Sequence, residues 1–158
     1  MMQDTQKSIG RVVMWQTPAE MRLGFSVISQ MYPTLSLEQY QERLEAFKDC
    51  DYRQFAYLNE QSQCLGVVGL WFIPRLWCGL QADIDNFVVD QESRSLGIGK
   101  QLLDRCLEYA VARGADLATL DTFVDNPNSH RFYFREGFSI RGYHFVKPLQ
   151  GQDIWNTH

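Results

Sequence analysis

The stretch Arg94-Ser95-Leu96-Gly97-Ile98-Gly99-Lys100 stands directly behind the apolar run Phe87-Val88-Val89 and directly ahead of Leu102-Leu103. This order predicts a strand that passes through a tight glycine turn into a helix. The first N–H groups of such a helix have no internal acceptors, and they converge on one point that suits a phosphate. Gly97 and Gly99 lack a Cβ, so the backbone can approach a ligand closely. Arg94 adds a fixed positive charge with several donors for phosphate oxygens. In the strand ahead of the turn, Asp83 and Asp85 alternate with a period of two and therefore share one face. A pyrophosphate site with carboxylates nearby is the chemistry these residues suggest.

The surrounding elements must hold that turn in place. Gly10–Trp15 is a β-prone run, and Thr17-Pro18-Ala19-Glu20 supplies a capping box with proline at the first helical position, predicting a helix to about Met31. Tyr32-Pro33-Thr34 interrupts it. Ser36-Leu37-Glu38-Gln39 is a second capping box, with Tyr40, Leu44 and Phe47 at helical spacing behind it. Arg53–Leu58 and Leu65–Ile73 flank the polar loop 59–63 in the pattern of a hairpin, and Ala82–Val89 follows as another strand. Ile98, Leu102, Cys106 and Ala110 form one apolar helical stripe, ended by Arg113-Gly114. Leu117–Phe123 is expected as a strand, Asn128–Arg135 as a short helix and Phe138–Val146 as a last strand. This sequence of elements is α/β, with an antiparallel front, a β-α-β crossover behind, and helices on both faces of the sheet.

At 158 residues the chain fits a single domain, with a core of about 10–149 and a flexible tail over 150–158. The longest apolar stretch, Val67–Ile73, is far too short to cross a membrane, and the polar N-terminus shows no signal-peptide core, so a cytoplasmic location is expected. The four cysteines form no C-x-x-C pair and the three histidines show no metal-ligand spacing, so reduced structural thiols and no metal are expected. A net charge of −4 argues against nucleic acid and favours a cationic small substrate. A Rossmann dinucleotide site is excluded. Gly97-Ile98-Gly99-Lys100-Gln101-Leu102 lacks the third glycine of that fingerprint and comes late in the chain, not behind the first strand.

Arg94, Gly97 and Gly99 occupy the fixed positions of the [RQ]-x-x-G-x-[GA] coenzyme A motif of the GCN5-related N-acetyltransferase family. Downstream, the segment from Asn126 through Phe132-Tyr133 to Gly137-Phe138 looks like that family's N-x-x-A-x-x-F-Y-x-x-x-G-F, with Ser129 in place of alanine. The chain therefore resembles this family over roughly Leu65–Val146. The resemblance implies acetyl-CoA as donor, with its pyrophosphate on the amides of Leu96–Lys100 beside Ser95 and its pantetheine along Phe87–Val89. It implies direct transfer to a primary amine of a small molecule, without a covalent enzyme intermediate. A peptide or protein acceptor, an aminoglycoside acceptor, and a non-catalytic acyl-CoA sensor are the alternatives. A tendency toward homodimers is also implied.

Acyl transfer to an amine needs a neutral nucleophile, a polarised carbonyl and a protonated leaving thiol. By resemblance, Tyr133 lies near the CoA sulfur as general acid, and the amide of Val88 or Val89 polarises the carbonyl. Asp85 stands where polyamine-type members carry an acidic residue that serves the amine directly or through water, with Asp83 as second candidate. Asn126 is either a coenzyme A contact or an ordinary turn starter before proline. Asp121 and His130 either reach the acceptor side or are hydrogen-bonded structural residues. The acceptor pocket should draw on Tyr32 and on the aromatic stretch with Trp71, Phe72 and Trp77.

Overall fold

The apolar runs pair in chain order into one five-stranded sheet, β1 (Gly10–Trp15), β2 (Tyr52–Asn59), β3 (Cys64–Arg75), β4 (Gly79–Val89) and β5 (Leu117–Leu120). The structure is a computed structural model that describes residues 10–153. The polar segment 1–9 and residues 154–158 of the expected tail lie outside the described residues; Gln150–Asp153 are exposed. The chain forms two compact units, one reaching to Thr119 and the other beginning at Leu120.

In the first unit, β1 to β4 are antiparallel neighbours, with Val13 opposite Ala56, Ala56 opposite Val67 and Leu70 opposite Ile84. β4 and β5 run parallel, joined through α4 (Ile98–Ala112), as the expected crossover requires. The strands bury both faces. On one face, Tyr52, Ala56, Val67 and Val88 pack with Met21, Val27, Ile28, Tyr40 and Leu44. Those residues come from α1 (Pro18–Met21), α2 (Phe25–Met31) and α3 (Leu37–Phe47). On the other face, Ile98, Leu102, Leu103, Cys106 and Ala110 of α4 are buried, and Tyr109 stacks edge-on against Phe55 and Phe72. Each fully buried large side chain contributes about 1.5–3 kcal/mol, so α4 is firmly anchored behind the turn it follows.

Both capping boxes form: the Thr17 and Ser36 side chains accept from the amides of Glu20 and Gln39, and those side chains answer the cap backbone. The helix expected to reach Met31 unbroken tightens into a 3-10 turn over Arg22–Gly24, where glycine disfavours regular helix. β5 stops at Leu120 and does not continue to Phe123.

In the second unit, α5 (Pro127–Arg135) forms, but the strand expected over Phe138–Val146 does not. The run is rich in β-formers, yet a strand exists only through a neighbour that takes up its backbone groups, and this segment joins no ladder.

Gly69 carries a packing role that leads to a stability test. It lies opposite Gln54, and a Cβ there would overlap the hydroxyl of Tyr52, which is buried on the same face. Gly69→Ala should therefore destabilise the protein by about 1–3 kcal/mol, read as a shift of the urea midpoint at unchanged m-value. An unmoved midpoint would mean that Tyr52 has another seat.

Candidate active site

β4 is bent just before the turn. Its register with β3 passes from Gly69 opposite Asp85 to Val67 opposite Val88, so one extra residue of β4 is accommodated between them. Asn86 takes up this bulge with φ of +51°. Alongside, the Thr119 hydroxyl donates to Asp83 at 2.6 Å and β5 ends one residue later, so β4 runs on past it through Phe87–Val89.

Beyond β4 the chain makes a short turn at Gln91–Ser93. Arg94 is extended, and Ser95 and Gly97 adopt left-handed φ of +66° and +77° before α4 begins at Ile98. Nothing crowds the Cβ position of Gly97, so its backbone conformation, and not space, is what calls for glycine. Ile98 is buried and fixes the helix start, while Arg94, Ser95, Leu96 and Lys100 are exposed. The Gln101 amide is the first to bond within the helix, to Gly97 at 3.2 Å, which leaves the amides of Ile98 and Gly99 without a helical acceptor. The Lys100 ammonium lies 2.9 Å from Asp104.

Helix α2 holds this turn from outside. Gln30 donates to Asp90 at 2.7 Å and accepts from the Gln91 amide at 3.0 Å, and Ser93 also donates to Asp90. The Gln30 bond, followed by Ser93, holds the Asp90 carboxyl below the usual carboxylate range. Neither Gln30 nor Asp90 stands out in the sequence, because their partners lie about sixty residues apart.

Asp83 and Asp85 share a face, as alternation predicts, but their surroundings differ. Asp83 is tied to Thr119, which accepts from Gln81 at 2.7 Å, and Gln81 in turn accepts from Arg75. Asp85 faces the aromatic group on the α3 side. The Trp71 indole N–H donates to it at 3.1 Å, and Asn86 donates twice, from its amide at 2.8 Å and from Nδ2 at 2.9 Å. The Tyr32 hydroxyl donates to Asn86 Oδ1 at 2.7 Å. Trp71 packs against Phe47 and Tyr52, with ring centroids 4.7 and 4.5 Å away. Burial, then the Asp85 charge, raises the Tyr32 hydroxyl above its ordinary range; the same causes raise Tyr52.

Tyr32, Trp71 and Asp85 are thus brought together. Asn86, Phe47 and Tyr52 join them unannounced, although the spacing of Tyr40, Leu44 and Phe47 already placed Phe47 on the inner face of α3. Phe72 is not part of this group. It lies on the opposite face of the sheet, under Arg113 at 4.4 Å, because it is one residue out of phase with Trp71. Trp77 is exposed on the β3–β4 turn.

In the second unit, Asn126 caps α5 by accepting from the Ser129 amide at 3.2 Å. His130 Nε2 lies 2.8 Å from the Phe123 carbonyl, to which it donates, and His144 Nδ1 lies 3.0 Å from Asp121. The Tyr133 ring packs edge-on against Phe132 and Phe138, and burial pushes its hydroxyl up to about 12.

The glycine turn, the bulged strand and the crossover helix can be set beside known proteins. The family model described as Acetyltransferase (GNAT) family matches residues 21–138. The chain belongs to this family. It is 30% identical over 129 residues to an uncharacterized N-acetyltransferase, YhdJ, of Bacillus subtilis, covering 80% of this chain and 89% of that one. The aminoalkylphosphonate N-acetyltransferase of Salmonella typhimurium is 38% identical over 73 residues, 46% of each chain. Among solved structures, aminoglycoside N-acetyltransferase AAC(6')-Iy in complex with CoA superposes with a TM-score of 0.75 at 14% identity, over 89% of this chain and 96% of that one.

As a GNAT acetyltransferase, the protein uses acetyl-CoA as its acyl donor. The turn fits the pyrophosphate of that donor: exposed left-handed residues, helix amides without internal acceptors and the guanidinium of Arg94 all present donors to an anion. Among the described residues, no group of three or more His, Cys, Asp or Glu is placed to hold a metal ion, and no helix is long and apolar enough to cross a membrane.

Proposed function

We propose that this acetyltransferase moves the acetyl group of acetyl-CoA directly to the primary amine of a small molecule, with the whole chain acting as one domain. The observation that carries the reading is Asp85, a carboxylate framed by Trp71, Phe47, Tyr52 and Tyr32, set just ahead of the bulge that leads into the coenzyme A turn. A carboxylate beside an aromatic cluster suits an ammonium group, chiefly through its charge. The substrate classes printed in the names of the Salmonella relative and of the aminoglycoside enzyme, both amines of small molecules, support the same reading.

In this mechanism the pyrophosphate lies on the amides of Leu96–Lys100 with Arg94 and Ser95, and the pantetheine runs beside Phe87–Val89. The amide of Val88 or Val89 donates to the thioester oxygen as charge builds there. Asp85 draws in the ammonium, which loses a proton to water or to the carboxylate. The neutral amine then attacks the carbonyl carbon. As the C–N bond forms and the C–S bond breaks, the nitrogen gives up its second proton to water, Tyr133 donates a hydrogen bond to the departing sulfur, and the sulfur leaves as the thiol by taking a proton from solvent. Asp83 is the weaker candidate base, since it turns to Thr119 of β5 and not to the aromatic group around Asp85. Asp121 and His130 take no chemical step in this reading, and Asn126 serves as a cap. Transfer without an enzyme thioester is favoured because none of the four cysteines falls in either coenzyme A motif, and burial suppresses the thiolates of Cys64 and Cys106 by pushing these thiols up to about 11 and about 12.

The test has two stages. Acetyl-CoA at a hundred times its Kd should stabilise the protein by about 2.7 kcal/mol, seen as a rise in Tm. Saturable release of free thiol is then expected with one class in a panel of amines, polyamines, amino acids, aminoglycosides and peptides. Binding without thiol release from any amine would favour an acyl-CoA sensor, and release with peptides alone would replace the small-molecule acceptor.

A further inference from the structure

We infer that Asn86 is a positioning residue that aims the Asp85 carboxylate, and that Tyr32 braces Asn86 in the pose that does so; this rests on the reading of Asp85 as the group that meets the amine.

The bulge demands little of the side chain at position 86. Its backbone, at φ of +51°, is open to glycine without strain and to asparagine or aspartate at small cost. Glycine would meet that backbone need alone. Asparagine adds what glycine cannot, a donor and an acceptor on one short arm. Its Nδ2 reaches Asp85 Oδ2 at 2.9 Å, and its Oδ1 takes the Tyr32 hydroxyl at 2.7 Å. The left-handed backbone also turns the residue's own amide back onto Asp85 Oδ1 at 2.8 Å. Aspartate at this position would set a second carboxylate against the first.

The direction of the amide follows from the same network. Reversed, its oxygen would face the acceptor-only Asp85 carboxylate, whereas the tyrosine hydroxyl can pair with either end of the amide; Asp85 therefore selects the direction. Tyr32, at the end of α2, answers that direction by donating to Oδ1 and braces the arm there. The lone pairs of Asp85 can then be counted. A carboxylate offers about four acceptor sites. Oδ2 receives Asn86 and Trp71, while among the described residues Oδ1 receives only the Asn86 amide. Oδ1 therefore keeps a site for the substrate ammonium, and Asn86 fixes where that site points.

The closing experiment uses the full-length protein with saturating acetyl-CoA and the best amine of the panel. Asn86→Gly keeps the bulge and removes the arm. It should lower kcat/KM for the amine about tenfold, the loss of one hydrogen bond to a charged group, with the acetyl-CoA Kd unchanged. Tyr32→Phe should cause a smaller loss in the same direction, and the double variant should be no worse than Asn86→Gly alone, because Tyr32 acts through Asn86. Independently of turnover, the indole N–H resonance of Trp71 should move in Asn86→Gly as its acceptor reorients. Full amine kcat/KM in Asn86→Gly, or additive losses in the double variant, would overturn the inference. Wild-type protein inactive on every amine would defeat the reading of Asp85 instead. In that case an unmoved Trp71 resonance would still overturn the positioning role, and a shifted one would support it.

Discussion

Tyr133→Phe should lower kcat about a hundredfold at saturating acetyl-CoA and amine, with the acetyl-CoA Kd changed by less than about twofold. General acid catalysis commonly contributes about 10²–10⁴ in rate, and the lower end applies here because a CoA-type thiol, with a pKa of about 8.5, leaves tolerably well unassisted. Burial works in favour of a donor. A hydroxyl pushed up to about 12 stays protonated at any pH where the enzyme would be assayed, so it can always meet the developing thiolate. The same shift limits how far the proton moves, because a group with pKa about 12 holds its proton more tightly than the thiol it serves. In the proposed mechanism the hydroxyl would therefore assist chiefly by hydrogen bonding in the transition state. An alkaline fall of kcat centred below about pH 10 would belong to another group. The linkage sign agrees: a folded pKa raised above the unfolded value of about 10 gives stability that is complete below pH 10 and is lost between there and about 12. Phenylalanine retains the edge-on packing against Phe132 and Phe138, so a folded variant is expected. Unchanged kcat in that variant would remove Tyr133 from the mechanism.

The glycine turn and the helix behind it could be read from the sequence because local rules govern them. A strand, a glycine that must be left-handed and an apolar helical stripe are all written within some twenty consecutive residues, and Gly97, Ile98 and Leu102 do what their types dictate. The surroundings of Asp83 and Asp85 depend on register, which no short stretch contains. Alternation put Asp83 and Asp85 on one face, but it could not say that one would be tied to Thr119 of β5 and the other to Trp71 of β3. Grouping the aromatic stretch as a whole carried Phe72 along with Trp71, although alternation sets adjacent strand residues on opposite faces. Asn86 escaped notice for a related reason. An asparagine inside an apolar strand reads as a weak point, and only the β3–β4 register reveals the bulge that explains it. Gln30 and Asp90 likewise meet only once α2 is folded against the sheet. The absent strand over Phe138–Val146 shows the same limit from the other side, since β-propensity describes a surface that suits a sheet and not the presence of a neighbour.

Asp85→Asn is the substitution that separates the two roles open to this carboxylate. It preserves shape but removes the charge, and it turns one acceptor oxygen into a donor facing Asn86 or Trp71, both of which already donate. A charge-assisted bond to an ammonium is worth about 1.5–3 kcal/mol, so kcat/KM for the amine should fall by about 10- to 150-fold while the acetyl-CoA Kd holds. The pH profile then identifies the role. A free carboxylate with a pKa near 4 is a weak base toward an amine near 10, so direct proton abstraction is steeply uphill. If Asp85 acts by attraction and water takes the proton, kcat/KM of both proteins should rise with pH along the same slope, displaced by a constant factor, because the titration belongs to the amine. If Asp85 is itself the base, the variant should lose the acidic limb that the wild type shows. Parallel profiles are the expected outcome. Three donors already fix the carboxylate in place, an arrangement suited to holding a cation through the reaction more than to receiving its proton.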